Sequence, residues 1–277
     1  LNGRLDSVTE KAGIKRGRKP AKGEPVLERA FYLLEQFTTD RPQLTLTELS
    51  AASGIPLSST LRLARQLEAV GALERTDGNM FAVGLRLFET ATLAPRAHGL
   101  RAIALPYMES LHHATKNHVM LAVRAGEEAM IIERLSSKGA GKVLFRVGER
   151  IPLTSTAVGL VLLANAQSTM QERILSRAGH SSSDAGREPE SAEVLRARLS
   201  GIRMEGFAVN TRMLPEPIDS VAAPIFSAGS AVVGAISVLF RAGTANLGTI
   251  SAAVAAAARA ISREAGSGGT MANLRDI

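Results

Sequence analysis

The 277-residue sequence has no cysteine, no tryptophan and only two tyrosines. The missing cysteine excludes a disulfide framework, a zinc–thiolate site and a thiol nucleophile together. It also fits a reducing, cytoplasmic setting. Scarce aromatics argue against a single-strand binder that stacks bases on rings. Long apolar spans are missing too. Residues 151–171 and 220–240 carry no charge, but Pro, Gly, Ser, Thr or Asn interrupts each stretch. Both read as buried core, not as membrane spans, and no membrane partner is expected. The first 24 residues are polar and basic, without the apolar segment of a signal peptide.

What is present is a 45% hydrophobic content and a net charge of +7. That length is enough for two ordinary domains, and that charge suits a polyanionic partner. Its distribution is uneven. Residues 1–24 carry seven basic side chains against three acidic ones, a net of +4. Residues 25–80 carry five arginines against seven acids, a net of −2. A DNA contact in the second segment must therefore come from a few well-placed charges.

Low apolar content with Gly, Pro and Lys/Arg marks residues 1–24 as a disordered basic arm. Its "KRGRKP", with Arg16 and Arg18, resembles a minor-groove hook, and a merely solvated tail reads the same way. Next, "VLERAFYLLEQF" keeps helical spacing. "TLTELSAAS" is a short helix, and Thr45 followed by Glu48 has the form of a capping box. Ser53–Gly54 is a turn, Pro56 suits a helix start, and a third helix runs to about Val70. Two short strands then flank Asp77–Gly78–Asn79, a hairpin signal. A further helix starts at Leu85, with Pro95 near its end and a domain boundary there.

The remainder mixes helices and antiparallel strands, an α+β pattern. "HVMLAVRAGEEAMIIERL" alternates like two strands around Ala125–Gly126–Glu127–Glu128, and "KVLFRV" is a further strand. "TSTAVGLVLLANA" is a helix, and "SVAAPIFSAGSAVVGAISVLF" is a strand pair. The chain closes with an Ala-rich helix and a loose tail over residues 267–277.

The third helix carries a division of labour. Leu57, Leu61, Ala64, Leu67 and Val70 form an apolar stripe, while Ser58, Ser59, Arg62, Arg65 and Gln66 lie on the rest of the surface. A helix in the DNA major groove needs such a division. Hydroxyls near its N-terminus can meet phosphate beside free N–H groups, and Arg can bridge guanine O6/N7. Any amphipathic helix with a solvated Arg face shows the same pattern. The neighbouring capped helix, hairpin and basic arm favour DNA. The expected DNA contacts are Thr45, Ser58, Ser59, Thr60, Arg62, Arg65 and Arg75, with Arg16 and Arg18 in the arm.

"VLERAFYLLEQF", "LTLTELSAASGIPLSSTLRLARQLEAVGAL" and "GNMFAVGLRLFETA" resemble successive blocks of the IclR family of bacterial transcriptional regulators. "FRVGERIPLTSTAVGLVLLA", "IRMEGFAVNTRMLPEPIDSVAAPIFSAGSAVVGAISV" and "AAARAISREAG" continue the resemblance, which spans residues 25–266. It implies a winged helix-turn-helix over 25–84, a linker helix over 85–97 and a GAF-like effector domain over 98–266. It further implies a homodimer or homotetramer, operator DNA, and a small organic effector such as a carboxylate, aromatic acid or sugar acid. Family pocket positions fall on Val143, Ile151, Ala157, Val158, Asn210, Ile218, Ser220 and Ser237. Thr211, Arg212 and Met213 stand where acids are common in the family, and Pro217 where Gly is usual. The pocket rim is therefore expected to be less acidic and stiffer.

Enzyme signatures are weak. His112, His113 and His118 lack a metal-pair spacing. "KGAGKV" has Ser136 in place of the first glycine of a phosphate loop, and Val143 follows its Lys. No nucleophile elbow occurs. No catalytic residue, cofactor or metal is expected. A sensor module without operator binding, or a small-molecule hydrolase, stands as the alternative.

Overall fold

The computed structural model describes residues 25–38, 40–138, 140, 145–177, 190–213, 217–228 and 230–267. The expected arm with Arg16 and Arg18, pocket position Val143 and the tail beyond Ser267 lie outside these residues. The chain divides into two compact units between Leu93 and Ala94.

The first unit runs α1 (Val26–Leu34), β1 (Gln43–Leu44), α2 (Leu46–Ser53), α3 (Leu57–Ala69), β2 (Leu73–Thr76), β3 (Met80–Val83) and α4 (Leu85–Thr92). The strands form one antiparallel sheet in the order β1-β3-β2. Strand β1 is too short to show a period in the sequence. Leu33, Leu44, Leu49, Ile55, Leu63, Ala64, Leu73 and Phe81 close the core.

Three hydroxyls lock the turn between α2 and α3. Ser50 Oγ donates to Ile55 O at 2.8 Å, Ser53 Oγ to Leu49 O at 2.6 Å, and Thr60 Oγ1 to Ile55 O at 3.1 Å. Gly54 supplies the left-handed residue between the helices, with φ 61°. At the other end of α2 the capping box is complete. Glu48 N–H donates to Thr45 Oγ1 at 3.3 Å, and Thr45 N–H donates to Glu48 Oε2 at 2.7 Å. These bonds hold the Glu48 carboxyl below its ordinary range, with the Thr45 backbone N–H the largest cause.

The second unit runs α5 (Pro95–Thr115), β4 (His118–Ala125), β5 (Glu128–Leu135), β6 (Arg150–Pro152), α6 (Ala157–Ala164), α7 (Ser168–Leu175), α8 (Ala192–Glu205), β7 (Ala208–Met213), β8 (Ile218–Phe226), β9 (Val232–Arg241) and α9 (Leu247–Ser267). Its strands make one antiparallel sheet, β6-β5-β4-β9-β8-β7. Side chains alternate across that sheet as the strand period of two requires. Met120, Ala122, Ala235 and Leu239 pack with α6 and α8. Val119, Leu121, Ile236 and Val238 pack on the other face with α5 and α9. Helices therefore cover both faces.

Three expectations change. The helix from Leu85 stops at Thr92, and Pro95 opens α5 instead of closing the linker helix. Proline lacks the N–H that a first helical turn does not use. The strand expected at 142–147 is not formed at 145–147, where the chain turns before Arg150; residues 142–144 lie outside the described residues. Finally, α9 reaches Ser267, one residue into the expected tail.

Candidate functional site: a DNA-reading helix and a ligand face

Helix α3 presents a contiguous solvent face. Ser58, Arg62, Arg65 and Ala69 are exposed at spacings of four, three and four, with Gln66 beside them. Among the described residues, no carboxylate pairs with Arg62 or Arg65. Arg86 Nη1 donates to Val70 O at 2.9 Å, so α4 fastens the far end of α3.

The packing face differs from the expected stripe. Thr60, Leu63 and Ala64 are the buried positions, Leu61 and Leu67 are half-buried, and Val70 is exposed. Thr60 is corrected as a DNA contact. It is 0% exposed, and its hydroxyl donates to the carbonyls of Ile55 and Pro56. A short hydroxyl at that register closes the turn instead of facing solvent. Leu57 is 50% exposed at the start of the helix. It extends the stripe past the packed region.

Thr45 and Arg75 are engaged within the unit. Thr45 caps α2, and its hydroxyl also donates to Glu48 Oε2 at 2.7 Å. Arg75, on β2, pairs with Glu68 at 3.3 Å, meets Asn79 Oδ1 and lies 4.6 Å over the Phe81 ring. It braces the hairpin against α3. Gly78 and Asn79 take positive φ at the tip. Ser59 is half-buried.

In the second unit the pocket positions converge on one face of the sheet. Ile151, Ala157, Val158 and Ile218 share a buried cluster beneath α6. Ser237 lies between Ala235 and Leu239 on β9, opposite Met120 and Ala222, so it points to the same face. Ser220, opposite Leu239, follows it. Asn210 is opposite Ser220, and its Nδ2 donates to Ser155 O at 2.7 Å. Sequence reading missed Arg198. Its Nη2 donates to Asn210 Oδ1 at 3.3 Å, and its Nη1 pairs with Glu190 Oε1 at 2.7 Å. The helical spacing of α8 does not reveal that reach.

Two features of this face suit an anion. Thr156 caps α6, accepting from Gly159 N–H at 3.1 Å. Among the described residues no acceptor meets the preceding N–H groups of Ala157 and Val158, which is the donor set of a helix N-terminus. The buried Ser237 hydroxyl has no partner among the described residues. Gly159 allows α6 to come this close, because a Cβ there would lie 2.4 Å from Pro152 O.

His112 and His118 each meet a backbone group. His112 Nδ1 lies 2.7 Å from Asn117 O, and Ser137 N–H meets His118 Nδ1 at 3.2 Å. Among the described residues, no cluster of His, Asp or Glu is arranged to hold a metal ion.

Comparison with known proteins decides the family. Residues 26–77 match the IclR helix-turn-helix domain, and residues 93–263 match the bacterial transcriptional regulator IclR C-terminal domain. The chain belongs to the IclR family. It is 28% identical over 249 residues to the glycerol operon regulatory protein of Streptomyces coelicolor, covering 87% of this chain and 96% of that protein. It is 25% identical to the HTH-type transcriptional regulator XynR of Escherichia coli, covering 76% of this chain and 84% of that protein. Among solved structures, an IclR homolog from Microbacterium hydrocarbonoxydans, complexed with 4-hydroxybenzoate, superimposes with a TM-score of 0.80. That pair shares 28% identity and covers 87% of this chain and 99% of the other.

The chain is thus an IclR-family helix-turn-helix transcriptional regulator and not an enzyme. DNA is the partner of its first unit. Among the described residues, no helix is long and apolar enough to cross a membrane.

Proposed function

We propose that the protein reads a two-fold operator as a homodimer and changes its DNA affinity when a small organic acid binds beneath α6. The observation that carries the first half is the exposed α3 face, where Arg62 and Arg65 meet no carboxylate among the described residues. Ser58 and Ser59 hold the entry of that helix, and Leu57 adds an apolar contact. Thr45 and Arg75 act indirectly, by fixing α2 and the wing. Arg16 and Arg18 would follow the minor groove, adding affinity without sequence preference.

The second half rests on the α6 face. Asn210, Ser220 and Ser237 supply polar atoms among Ile151, Ala157, Val158 and Ile218, with Val143 the remaining family position. The N–H groups opening α6 suit a carboxylate. The related Microbacterium protein was crystallised with 4-hydroxybenzoate, which makes aromatic acids the first class to try. Sugar acids and other carboxylates follow. A DNA partner fits a location in the bacterial cytoplasm.

A thermal-shift screen with carboxylates, phenolics and sugar acids tests this reading. A true ligand raises the melting temperature by mass action and changes DNA affinity in the same preparation. If every stabilising compound leaves DNA affinity unchanged, ligand control is refuted, because a ligand shifts an equilibrium only by its differential affinity for the two states.

A further inference from the structure

The second unit also contains a cleft away from the N-terminal end of α6. It opens between the C-terminal ends of α6 and α8, where Asn165 closes α6, the last residues of β8 and one side of α9, and it holds about 520 Å³. Strand β7 pairs with β8 only as far as Ala222, so the sheet edge continues without it. Another strand could not add there readily. Pro224 has no N–H, and the Phe226 N–H is taken by Ser262 Oγ at 2.9 Å. The floor is apolar: Ile202, Ala223, Pro224, Phe226 and Ala258.

Its rim is basic. Arg203 comes from α8, and Arg259 and Arg263 from α9. The last two stand four residues apart on one side of their helix. Among the described residues no acid lines the cleft, and no carboxylate pairs with any of the three arginines. Arg203 Nη1 donates to Ala164 O at 3.1 Å, which leaves most of its fork available. Like charges gathered on one cleft repel, and an anion among them reverses the sign. Arginine forks match carboxylate and phosphate oxygens.

We propose that this cleft is a second ligand site, which takes a small organic dianion with an apolar or aromatic body. The body lies on Ala223, Pro224 and Phe226, and the acidic oxygens meet Arg203, Arg259 and Arg263. The charge is a dicarboxylate or a phosphate ester.

Calorimetric titration of the full chain provides the test. Phthalate and phenyl phosphate are the dianionic probes. Benzoate has the body with one charge, and inorganic phosphate has the charge without the body. We expect at least one dianionic probe to bind ten-fold or more tightly than either control. The better of phthalate and phenyl phosphate identifies the acidic group. Arg259→Gln and Arg263→Gln, both on an exposed helix side, should each weaken that probe about ten-fold with an unchanged melting temperature. Ser237→Ala, on the α6 face, should leave it unchanged. Equal binding of dianion and benzoate, indifference to both arginine replacements, or loss of binding in Ser237→Ala would each overturn the second site. The last result would place the probe beneath α6 and leave the proposed effector reading standing.

Discussion

Arg62 and Leu63 are neighbours in sequence with opposite duties. Arg62 faces solvent, so Arg62→Ala should keep its melting temperature while losing about 1–3 kcal/mol of operator binding if it holds a base edge. Leu63 is 1% exposed, and Leu63→Ala should cost about 2–5 kcal/mol of fold stability through the cavity it leaves. Thermal melts paired with operator titrations separate the two. An Arg62→Ala protein that binds like the parent would remove Arg62 from the reading face. The sequence made the polar half of α3 legible through its charges. It hid the buried register, because Thr60 resembles a surface residue until its hydroxyl is seen to close the turn. Ser237 gives the sharper contrast. A buried hydroxyl without a partner costs about 1–3 kcal/mol, so Ser237→Ala should melt no lower than the parent. The same change should weaken the stabilisation given by an effector acid. A clear fall in melting temperature without ligand would show that the hydroxyl is bonded in the free protein.

At the scale of elements, the α2 cap links sequence and pH. Thr45 and Glu48 are three residues apart, which is why the box was readable before the structure. The folded Glu48 carboxyl titrates below its ordinary value of 4.5. Its contribution is therefore present above the unfolded value and is lost as pH falls through the lower, folded one. Glu48→Gln should flatten the acid limb of the unfolding profile below about pH 4.5 relative to the parent. An identical limb in both proteins would show that the box contributes nothing to acid stability. Long strands such as β4, β8 and β9 were legible as apolar runs bounded by turn residues, because helices bury both faces of the sheet. Strands β1 and β6 were not, since two or three residues cannot show a period. Strand β7 was hidden behind the exit of α8, and α7 sits in a polar stretch without a strong stripe.

At the scale of the whole molecule, the first unit leaves apolar side chains in solvent. Leu27 and Phe31 lie one turn apart on α1, and Leu85 and Phe88 on α4, where Phe88 is 67% exposed. Groups of this kind mark contact surfaces, and a two-fold contact would place two α3 helices on one duplex. Phe88→Asp should shift the sedimentation profile toward monomer and weaken operator binding together; an unchanged assembly would move the dimer contact elsewhere. Sequence reading placed the helix from Leu85 correctly at its start. It missed the stop at Thr92, because a proline at the first turn of one helix looks like the end of another.

The most direct test of the regulator account is footprinting of the full chain on intergenic DNA beside its own gene, at about physiological salt. The account predicts protection of two inverted half-sites whose centres lie about one helical turn, or a multiple of it, apart. The protection should weaken for Arg62→Ala and change when a stabilising organic acid is added. Protection that spreads evenly over unrelated sequences, and fades with salt at the same rate on all of them, would contradict it.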